Sequence, residues 1–423
     1  MKTKFGHFII LAAIWHLSVK CQNPSISDGS KFSGPSYNNL ALTPPMGFNT
    51  WNTFKGNPSE VVVRQIVDLI ISNGFKDAGY QYMNIDYGWD KGRDANGQII
   101  INTNKFPNGM KVVADYIHSK GLKAGIYTDL GKDKPGVLGS QGYFDQDMKT
   151  FASWGFDYIK VDVNNVKDRS EANLKNLFSQ MSKAVKNCGR PMVFSICNQG
   201  DGNYTNWAPS LGNLWRVGKD IDYLSWIAPF QTTQWQGVIY ELDLSMAHPE
   251  AARPGAWNDA DMMLVGVNSG KLTLLNSEET RSHFLLWCVI NSPLIIGADL
   301  RNISTEAKNI LTNTEAIAIN QDAYGQQARL VKNTDSLQVF SKCLESATSG
   351  KRGVVLFNRK SSASDITVND VMLGLKGKFS VRDLWVKKNM GSFNSYTVNV
   401  PAHGVVMLKI TTGSVKSRST SKK

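Results

Sequence analysis

Hydrophobic and polar residues follow one repeating unit over most of the chain. Between about Leu40 and Asp322, a short apolar run leads into a polar turn and then into apolar residues at helical spacing. Eight apolar runs are predicted strands: Pro45–Trp51, Tyr82–Trp89, Lys123–Gly131, Tyr158–Val163, Met192–Cys197, Leu214–Asp220, Ala256–Leu264 and Pro293–Asp299. Six stretches are predicted helices: Val61–Asn73, Gly109–Lys120, Phe144–Trp154, Glu171–Asn187, Glu278–Asn291 and Glu306–Ile319. Eight alternating units predict a (β/α)8 TIM barrel over residues 41–326.

A doubly wound open sheet is the competing architecture, but no GxGxxG follows the first strand. After Gln321 the pattern changes to short alternating runs without helices between them. The predicted strands are Ser336–Leu344, Gly353–Asn358, Asp365–Val368, Phe379–Trp385 and Tyr396–Ile410. We therefore expect an antiparallel β-sandwich over residues 327–411.

The two ends of the chain carry much of its positive charge. The formal net charge is +12, from 47 Lys and Arg against 35 Asp and Glu. Seven of the basic residues lie in residues 1–20 and 411–423; without them, 40 basic residues face 35 acidic ones. No basic cluster with interleaved aromatic residues remains for a folded face, which argues against nucleic-acid binding.

The first twenty residues have the pattern of a secretory signal peptide. A basic start precedes an apolar run from Phe8 to about Val19, which is too short to span a bilayer. Cys21 and a polar linker to residue 40 follow, so Cys21 is a candidate for a lipid anchor. We expect an exported protein, periplasmic, at the cell surface or secreted, with a basic disordered tail at residues 412–423.

The remaining cysteines show no pattern typical of metal sites or disulfide frameworks. Cys188, Cys197, Cys288 and Cys343 are far apart, no CxxC is present, and the six histidines have no paired spacing. Buried thiols are the expected state. The sequence thus predicts neither a metal nor a cofactor.

Charged residues accumulate where the predicted barrel strands end. The fourth strand reads Tyr158-Ile-Lys160-Val-Asp162, and side chains alternate across a strand, so Lys160 and Asp162 share one face. Function in this fold lies at the C-terminal ends of the strands. Other strand ends contribute further polar and aromatic residues: Trp51, Asp86, Trp89, Tyr127, Asp129, Trp215, Arg216, Asp220, Trp257, Asp259 and Asp261.

Carboxylates, aromatic platforms and Arg or Lys side chains without a metal site are typical of a glycosidase. One carboxylate attacks or positions water, a second protonates the leaving oxygen, and aromatic rings stack on sugar faces. The same residues could instead be structural caps and ion pairs, with Asp259 the strongest example.

Several of these residues lie in strings that resemble glycoside hydrolase family 27, the α-galactosidases and α-N-acetylgalactosaminidases, between about Leu42 and Ile410. The matching strings are Pro44–Trp51, Gly121–Tyr127, Lys160–Asp162, Trp215–Arg216 with Asp220, Trp257–Met262, Ile319–Asp322 and Arg382–Trp385. The resemblance implies a retaining hydrolase with Asp162 as the nucleophile and Asp220 as the general acid and then base. It also implies a sugar-binding pocket built from Trp51, Asp86, Tyr87, Tyr127, Lys160, Cys197, Asn198, Arg216 and Asp261.

The implied roles carry electrostatic expectations. Lys160 on the same face as Asp162 should favour the ionised nucleophile. Asp220 must be protonated at the start of the cycle, which needs a less positive setting, so Lys219 beside it is expected to point away.

Three positions depart from the family pattern. Tyr87 stands where a second Asp commonly joins the one at Asp86, and a tyrosine cannot supply two charged acceptors. The segment Ser195–Gly200, with Cys197 and Asn198, replaces a frequent Cys-Glu-Trp or Cys-Asn-Trp. Asn164 replaces a cysteine that is often disulfide-bonded across the mouth.

The leading hypothesis is an α-galactosidase that releases terminal α-linked galactose through a covalent glycosyl-enzyme. A β-L-arabinopyranosidase, an α-N-acetylgalactosaminidase and a hydrolase of isomalto-type α-glucosides remain alternatives because of Tyr87 and Asn198. An inactive carbohydrate-binding protein is the alternative from another class. The expected partner is a carbohydrate substrate, and assembly into a homo-oligomer stays open.

Overall fold

The computed structural model describes residues 36–134, 137–222, 231–268 and 270–412. Its first part is a barrel of eight parallel strands. These are β1 (Met46–Asn49), β2 (Tyr82–Ile85), β5 (Lys123–Asp129), β6 (Tyr158–Asp162), β7 (Val193–Cys197), β8 (Leu214–Arg216), β9 (Trp257–Asp259) and β10 (Leu294–Ile296). All eight predicted barrel strands are present, most of them shorter than predicted because their ends turn into loops.

The strands follow the order β10-β1-β2-β5-β6-β7-β8-β9, and each pairs in parallel with its neighbour. A bridge between Met263, just after β9, and Ile296 in β10 closes the ring. The interior is tightly filled: a Cβ on Gly125 of β5 would lie 1.9 Å from the Asn84 side-chain oxygen. Glycine at this position therefore leaves space for a polar side chain of the next strand.

Helices surround the barrel and bury one apolar face each. They are α1 (Trp51–Phe54), α2 (Glu60–Ser72), α3 (Gly109–Ser119), α4 (Phe144–Trp154), α5 (Glu171–Asn187), α6 (Ala208–Leu211), α7 (Gln234–Ala247), α8 (Ser277–Val289), α9 (Thr305–Leu311) and α10 (Thr314–Asn320). In α2, Val63, Ile66, Val67 and Ile70 are buried, at the spacing of one helix face. The Ser59 hydroxyl accepts a hydrogen bond from the Val62 N–H and begins this helix.

Two features of the helical layer differ from the sequence prediction. The predicted helix Glu306–Ile319 is divided into α9 and α10, because Asn313 between them caps the second helix through the N–H groups of Glu315 and Ala316. Helix α7 was not predicted. It begins with a capping box of Thr233 and Gln236, but its apolar residues do not follow a single stripe.

A short hairpin outside the barrel, β3 (Asp90–Arg93) and β4 (Ile99–Ile101), was also not predicted. The C-terminal part consists of β11 (Arg329–Thr334), β12 (Leu337–Cys343), β13 (Lys351–Asn358), β14 (Ser364–Asn369), β15 (Phe379–Asp383), β16 (Lys388–Phe393), β17 (Ser395–Val400) and β18 (Val405–Thr412).

These C-terminal strands form an antiparallel sandwich. One sheet has the order β11-β12-β13-β18-β15-β16, and β14 pairs with β17 in the second. Val354, Leu356 and Leu408 of the larger sheet form one apolar core with Ile366 and Tyr396 of the smaller. The predicted strand Tyr396–Ile410 is in fact β17 and β18, separated by residues 401–404. The exposed edge strands β11 and β16 were missed, since they lack regular alternation.

Barrel and sandwich share a continuous interface. Phe340, Val355 and Met407 of the sandwich belong to the same apolar cluster as the barrel helices. The Lys342 ammonium is buried at this interface and donates to the Asn291 side-chain oxygen and, at 2.8 Å, to the Ile319 carbonyl. Burial lowers the pKa of Lys342 to about 7, although Asp322 opposes the shift.

The predicted signal peptide, Cys21 and nearly all of the predicted tail lie outside the described residues. Within the described ranges, no helix combines the length and hydrophobicity that a membrane span requires. Cys188, Cys197, Cys288 and Cys343 are all buried. In the same part of the chain, no group of three or more His, Cys, Asp or Glu side chains is placed to hold a metal ion.

Candidate active site

A pocket of about 190 Å³ opens at the C-terminal ends of the barrel strands. Its walls come from α1, β5 and β6 and from the loops that follow β2, β5, β6 and β8. The residues that line it are Trp51, Asp86, Tyr87, Tyr127, Asp129, Val137, Lys160, Asp162, Asn164 and Asp220. The structure thus brings together seven residues that the sequence assigned to the site, from positions 51 to 220, and three that it did not.

An ion pair between Asp86 and Lys160 forms part of the pocket floor. The Lys160 Nζ lies 2.9 Å from the Asp86 Oδ2, which also accepts a hydrogen bond from the Asn49 side chain at 2.9 Å. Both partners are largely buried, with side-chain exposures of 3% for Asp86 and 13% for Lys160. Burial opposes the charge on Lys160, but the neighbouring carboxylates outweigh it and raise the pKa of Lys160 well above its ordinary value.

Asp162 at the end of β6 is held by two hydrogen bonds on one oxygen. Its Oδ1 accepts from the Val163 N–H at 2.7 Å and from the Gln199 Nε2 at 2.9 Å. Burial raises the pKa of Asp162, while Lys160 acts in the opposite direction. Lys160 thus favours the ionised form of Asp162, as expected, but burial outweighs it, so the net shift of the pKa is upward.

Asp220 lies on the loop after β8, at the outer side of the pocket. Arg216 reaches its Oδ1 at 3.1 Å and the Asp261 Oδ1 at 3.0 Å. Burial works against ionisation of Asp220, but Arg216 and Lys160 outweigh it and lower the pKa of Asp220. The expected less positive setting is thus not found, since Arg216 and Lys160 both face this carboxylate. Lys219 does point away, towards Asp201 at 2.9 Å.

Three aromatic rings form one wall of the pocket. The Tyr87 ring meets the Trp51 ring edge-on at a centroid distance of 6.4 Å and the Tyr127 ring at 6.1 Å. The Lys160 ammonium lies 5.6 Å from the centroid of the Tyr127 ring. Such a wall can stack against the apolar face of a sugar.

Four predicted binding residues lie behind the pocket lining. Arg216 and Asp261 line a small cavity of about 20 Å³ below the floor. The thiol of Cys197 is buried 3.8 Å from Arg216, and the buried amide of Asn198 donates to the Asp201 carbonyl at 3.1 Å. These four side chains therefore pack behind the pocket lining and support it.

Three further polar residues face the site. Gln199, with a left-handed backbone conformation (φ 56°), bonds Asp162 and also the Asn164 side chain at 3.1 Å. Asp129 accepts the Gly131 N–H at 2.7 Å, and burial together with Asp162 raises its pKa to about 7. Asp129 lies on the same face of β5 as Tyr127. Side-chain alternation along this strand could therefore have placed Asp129 among the predicted site residues.

A larger cavity of about 540 Å³ adjoins the pocket on its outer side. Trp51, Asn164 and Asp220 line both spaces, and the other residues around the outer cavity are Lys55, Arg169, Gln199, Lys219 and Asp222. A group bound in the inner pocket and a group bound in the outer cavity would thus meet beside Asp220.

Comparison with known proteins places these features in context. The family model "Alpha galactosidase A" matches residues 43–322, and "Alpha galactosidase C-terminal beta sandwich domain" matches residues 334–410. Alpha-galactosidase A of Cellvibrio japonicus is 40% identical, covering 89% of this chain and 94% of that protein. Alpha-galactosidase of Oryza sativa is 38% identical, and the match covers 88% of this chain and 86% of that protein. The crystal structure of alpha-galactosidase I from Mortierella vinacea has a TM-score of 0.80 and 35% identity, and covers 88% of this chain and 98% of that one.

Proposed function

This chain belongs to the α-galactosidase A family, and we propose that it is a retaining α-galactosidase in which Asp162 is the nucleophile and Asp220 the acid and base. The observation that carries the assignment is the placement of Asp162 and Asp220 on one small pocket whose floor holds the Asp86–Lys160 pair. The substrate is a terminal α-linked galactose unit of an oligo- or polysaccharide.

The proposed reaction has two steps. First, an Asp162 oxygen attacks the anomeric carbon, the bond to the leaving oxygen breaks, and Asp220 gives its proton to that oxygen. In the second step Asp220 takes a proton from water, the water oxygen attacks the anomeric carbon, and Asp162 leaves as a carboxylate. The sugar is released with its original anomeric configuration, and both carboxyl groups return to their starting states.

The first step requires that Asp162 and Asp220 carry one proton between them and that this proton is on Asp220. In the free protein the raised pKa of Asp162 and the lowered pKa of Asp220 favour that proton on Asp162. The Asp220 side chain is 34% exposed, so a bound substrate would displace water from it and raise its pKa. Substrate binding thereby supports the protonation state that the chemistry requires.

The sugar is recognised by the Asp86–Lys160 pair on the pocket floor and by the aromatic rings of the wall. The Asp86 carboxylate accepts hydrogen bonds from sugar hydroxyl groups, and the Lys160 ammonium donates them, as charge-assisted contacts. Tyr87 replaces the second carboxylate that the resemblance implies and offers a ring and one hydroxyl.

A second candidate, β-L-arabinopyranosidase activity, is favoured by Tyr87 alone. β-L-Arabinopyranose has the ring stereochemistry of galactose without its 6-hydroxymethyl group. Tyr87 packs between Trp51 and Tyr127, so a ring occupies part of the wall where a carboxylate could have bound that hydroxyl. A lost paired contact separates such analogues strongly.

We also propose that the protein is exported, on the strength of residues 1–20 alone. The basic start and the short apolar run support a cleaved leader, and Cys21 supports a lipid anchor as one form of the mature N-terminus. Mass spectrometry of the purified mature protein decides between an unprocessed chain, a leaderless chain and a lipid-bearing one.

A panel of aryl glycosides tests the proposed activity. It consists of the α-galactoside, the β-L-arabinopyranoside, the α-N-acetylgalactosaminide and the α-glucoside with the same leaving group. We expect the α-galactoside to have the highest kcat/KM, and equal rates across the panel would contradict a selective pocket. If the wild-type protein binds these sugars but cleaves none, it is a carbohydrate-binding protein.

A further inference from the structure

We propose that the outer cavity binds an anionic leaving group, so that the preferred substrates are α-galactosides whose aglycone carries a carboxylate or a sulfate. This inference rests on the proposed function, because it assigns the space next to the acid Asp220 to the leaving group. The inner pocket and the outer cavity share Trp51, Asn164 and Asp220. A glycosidic oxygen beside Asp220 therefore has the galactose on one side and the aglycone on the other.

Two cations of the cavity share one carboxylate. The Arg169 Nη1 lies 3.0 Å from the Asp201 Oδ2, and the Lys219 Nζ lies 2.9 Å from both oxygens of Asp201. Side-chain exposures are 29% for Arg169, 24% for Lys219 and 29% for Asp201. One positive charge thus remains unneutralised within this cluster, and it is accessible from the cavity.

The other charges around the cavity do not remove that surplus. Lys55 and Asp222 balance each other across 3.4 Å. Asp220 faces Arg216 at 3.1 Å, and in the proposed mechanism it carries a proton in the substrate complex before the leaving group departs. Among the described residues, three cations therefore stand against two carboxylates, Asp201 and Asp222, around the space for the aglycone.

The Arg169 guanidinium is already fixed in position beside the space for such a group. It also donates to the Gln199 Oε1 at 2.9 Å and to the Val163 carbonyl at 3.0 Å. A guanidinium fixed by three partners loses little freedom when an anion arrives, and its planar fork matches carboxylate and sulfate geometry. With a neutral sugar in the same place, only water would solvate the surplus positive charge of this cluster.

The test compares aglycones that differ in charge and little else. We would measure kcat/KM for the 3-carboxyphenyl, 3-sulfophenyl and 3-carbamoylphenyl α-galactosides, and for the same three β-L-arabinopyranosides. The anionic α-galactosides should exceed the neutral one by about fivefold at low ionic strength, and the ratio should approach one in ~1 M salt. An advantage for carboxylate alone, or for the sulfonate alone, identifies which anion the cavity accepts.

Charge variants separate electrostatic recognition from a general loss of activity, because the ratio of anionic to neutral kcat/KM is measured within each variant. Lys219→Gln should lower the ratio of anionic to neutral kcat/KM, and Asp222→Asn should raise it. Lys111→Gln is the matched control: this lysine pairs with Asp115 at 2.8 Å on α3 and is 61% exposed. It should keep the wild-type ratio.

Failure of the inference and failure of the proposed function are distinguishable. Cleavage of the α-galactosides without an anionic advantage overturns the inference and leaves the function. If the protein cleaves only the arabinopyranosides, and cleaves the anionic ones faster than the neutral one, the α-galactosidase assignment is overturned while the outer cavity is supported as the site of an anionic leaving group. If the wild-type protein cleaves none of the six glycosides, both are overturned.

Discussion

Lys160 forms its ion pair, at 2.9 Å, with Asp86 directly after β2, across the intervening strand β5, although Asp162 is two residues away on its own strand. The pair links the middle of β6 to the end of β2 and neutralises both charges in a buried setting. The Oδ1 of Asp162 instead accepts hydrogen bonds from the Val163 N–H and the Gln199 side chain.

Asp86→Asn should lower kcat/KM for the aryl α-galactoside by about 100-fold, since Lys160 would be left as an uncompensated buried charge and the sugar would lose a charged acceptor. Steady-state kinetics and urea unfolding of the same sample measure the two effects. Asp115→Asn, which breaks the exposed pair with Lys111, is the control and should change neither. Wild-type kcat/KM in the Asp86 variant would remove this residue from the site.

Asp162→Ala should reduce α-galactoside hydrolysis by about 10⁴-fold or more, because no group remains to form the glycosyl-enzyme. Azide can enter the space left by the carboxylate and attack the same face of the sugar, so the rescued product should be β-galactosyl azide. In Asp220→Ala, azide should instead attack the glycosyl-enzyme and yield the α-anomer. NMR of the products identifies both, and full activity of Asp162→Ala would exclude the mechanism.

Tyr87→Asp should raise the ratio of α-galactoside to β-L-arabinopyranoside kcat/KM by about tenfold, because a second carboxylate can accept a hydrogen bond from the 6-hydroxyl. Tyr87→Phe keeps the ring between Trp51 and Tyr127 and removes only the hydroxyl, so its ratio should stay near that of the wild type. An unchanged ratio in the Asp variant would show that Tyr87 does not determine the sugar preference.

Lys55→Gln should move the alkaline limb of the pH profile of kcat, which reports the substrate complex, to higher pH at low ionic strength. Lys55 is among the charges that lower the pKa of Asp220, and its side chain is 51% exposed. Without the Lys55 charge, Asp220 keeps its proton up to a higher pH, so the protonated form that can act as the acid persists there. The shift should vanish in high salt, and an opposite shift would contradict the assignment of Asp220 as the acid.

Lys342 should make stability depend on pH above neutrality. Its folded pKa of about 7 lies below the ordinary lysine value, so between pH 7 and 10 the unfolded chain binds a proton that the folded chain lacks. The contribution of this group to stability therefore rises with pH in that range, by about 1 kcal/mol per unit. Urea unfolding of wild type and Lys342→Met at pH 7, 8 and 9 measures the difference, with Lys351→Met, on the exposed Glu345 pair, as the control. A constant difference would contradict the lowered pKa.

Local patterns determined the strands of the barrel and the face on which Lys160 and Asp162 lie, because side-chain alternation and helical spacing are properties of neighbouring residues. The same alternation stops where a strand ends. After Cys197 the chain turns, so Asn198 is buried and Gln199 donates a hydrogen bond to Asp162, a result that spacing could not give. Helix α7 and strand β16 were missed for a related reason: their apolar residues do not mark a single buried face.

Family resemblance added the roles of Asp162 and Asp220 to what the sequence determined. Only the tertiary structure decided that Lys160 pairs with Asp86, that Arg216 approaches Asp220, and that Arg169 and Lys219 share Asp201. Those partners come from different strands and loops. Because electrostatic energy depends on distance and burial, the direction of each pKa shift follows from their arrangement in space and not from their order along the chain.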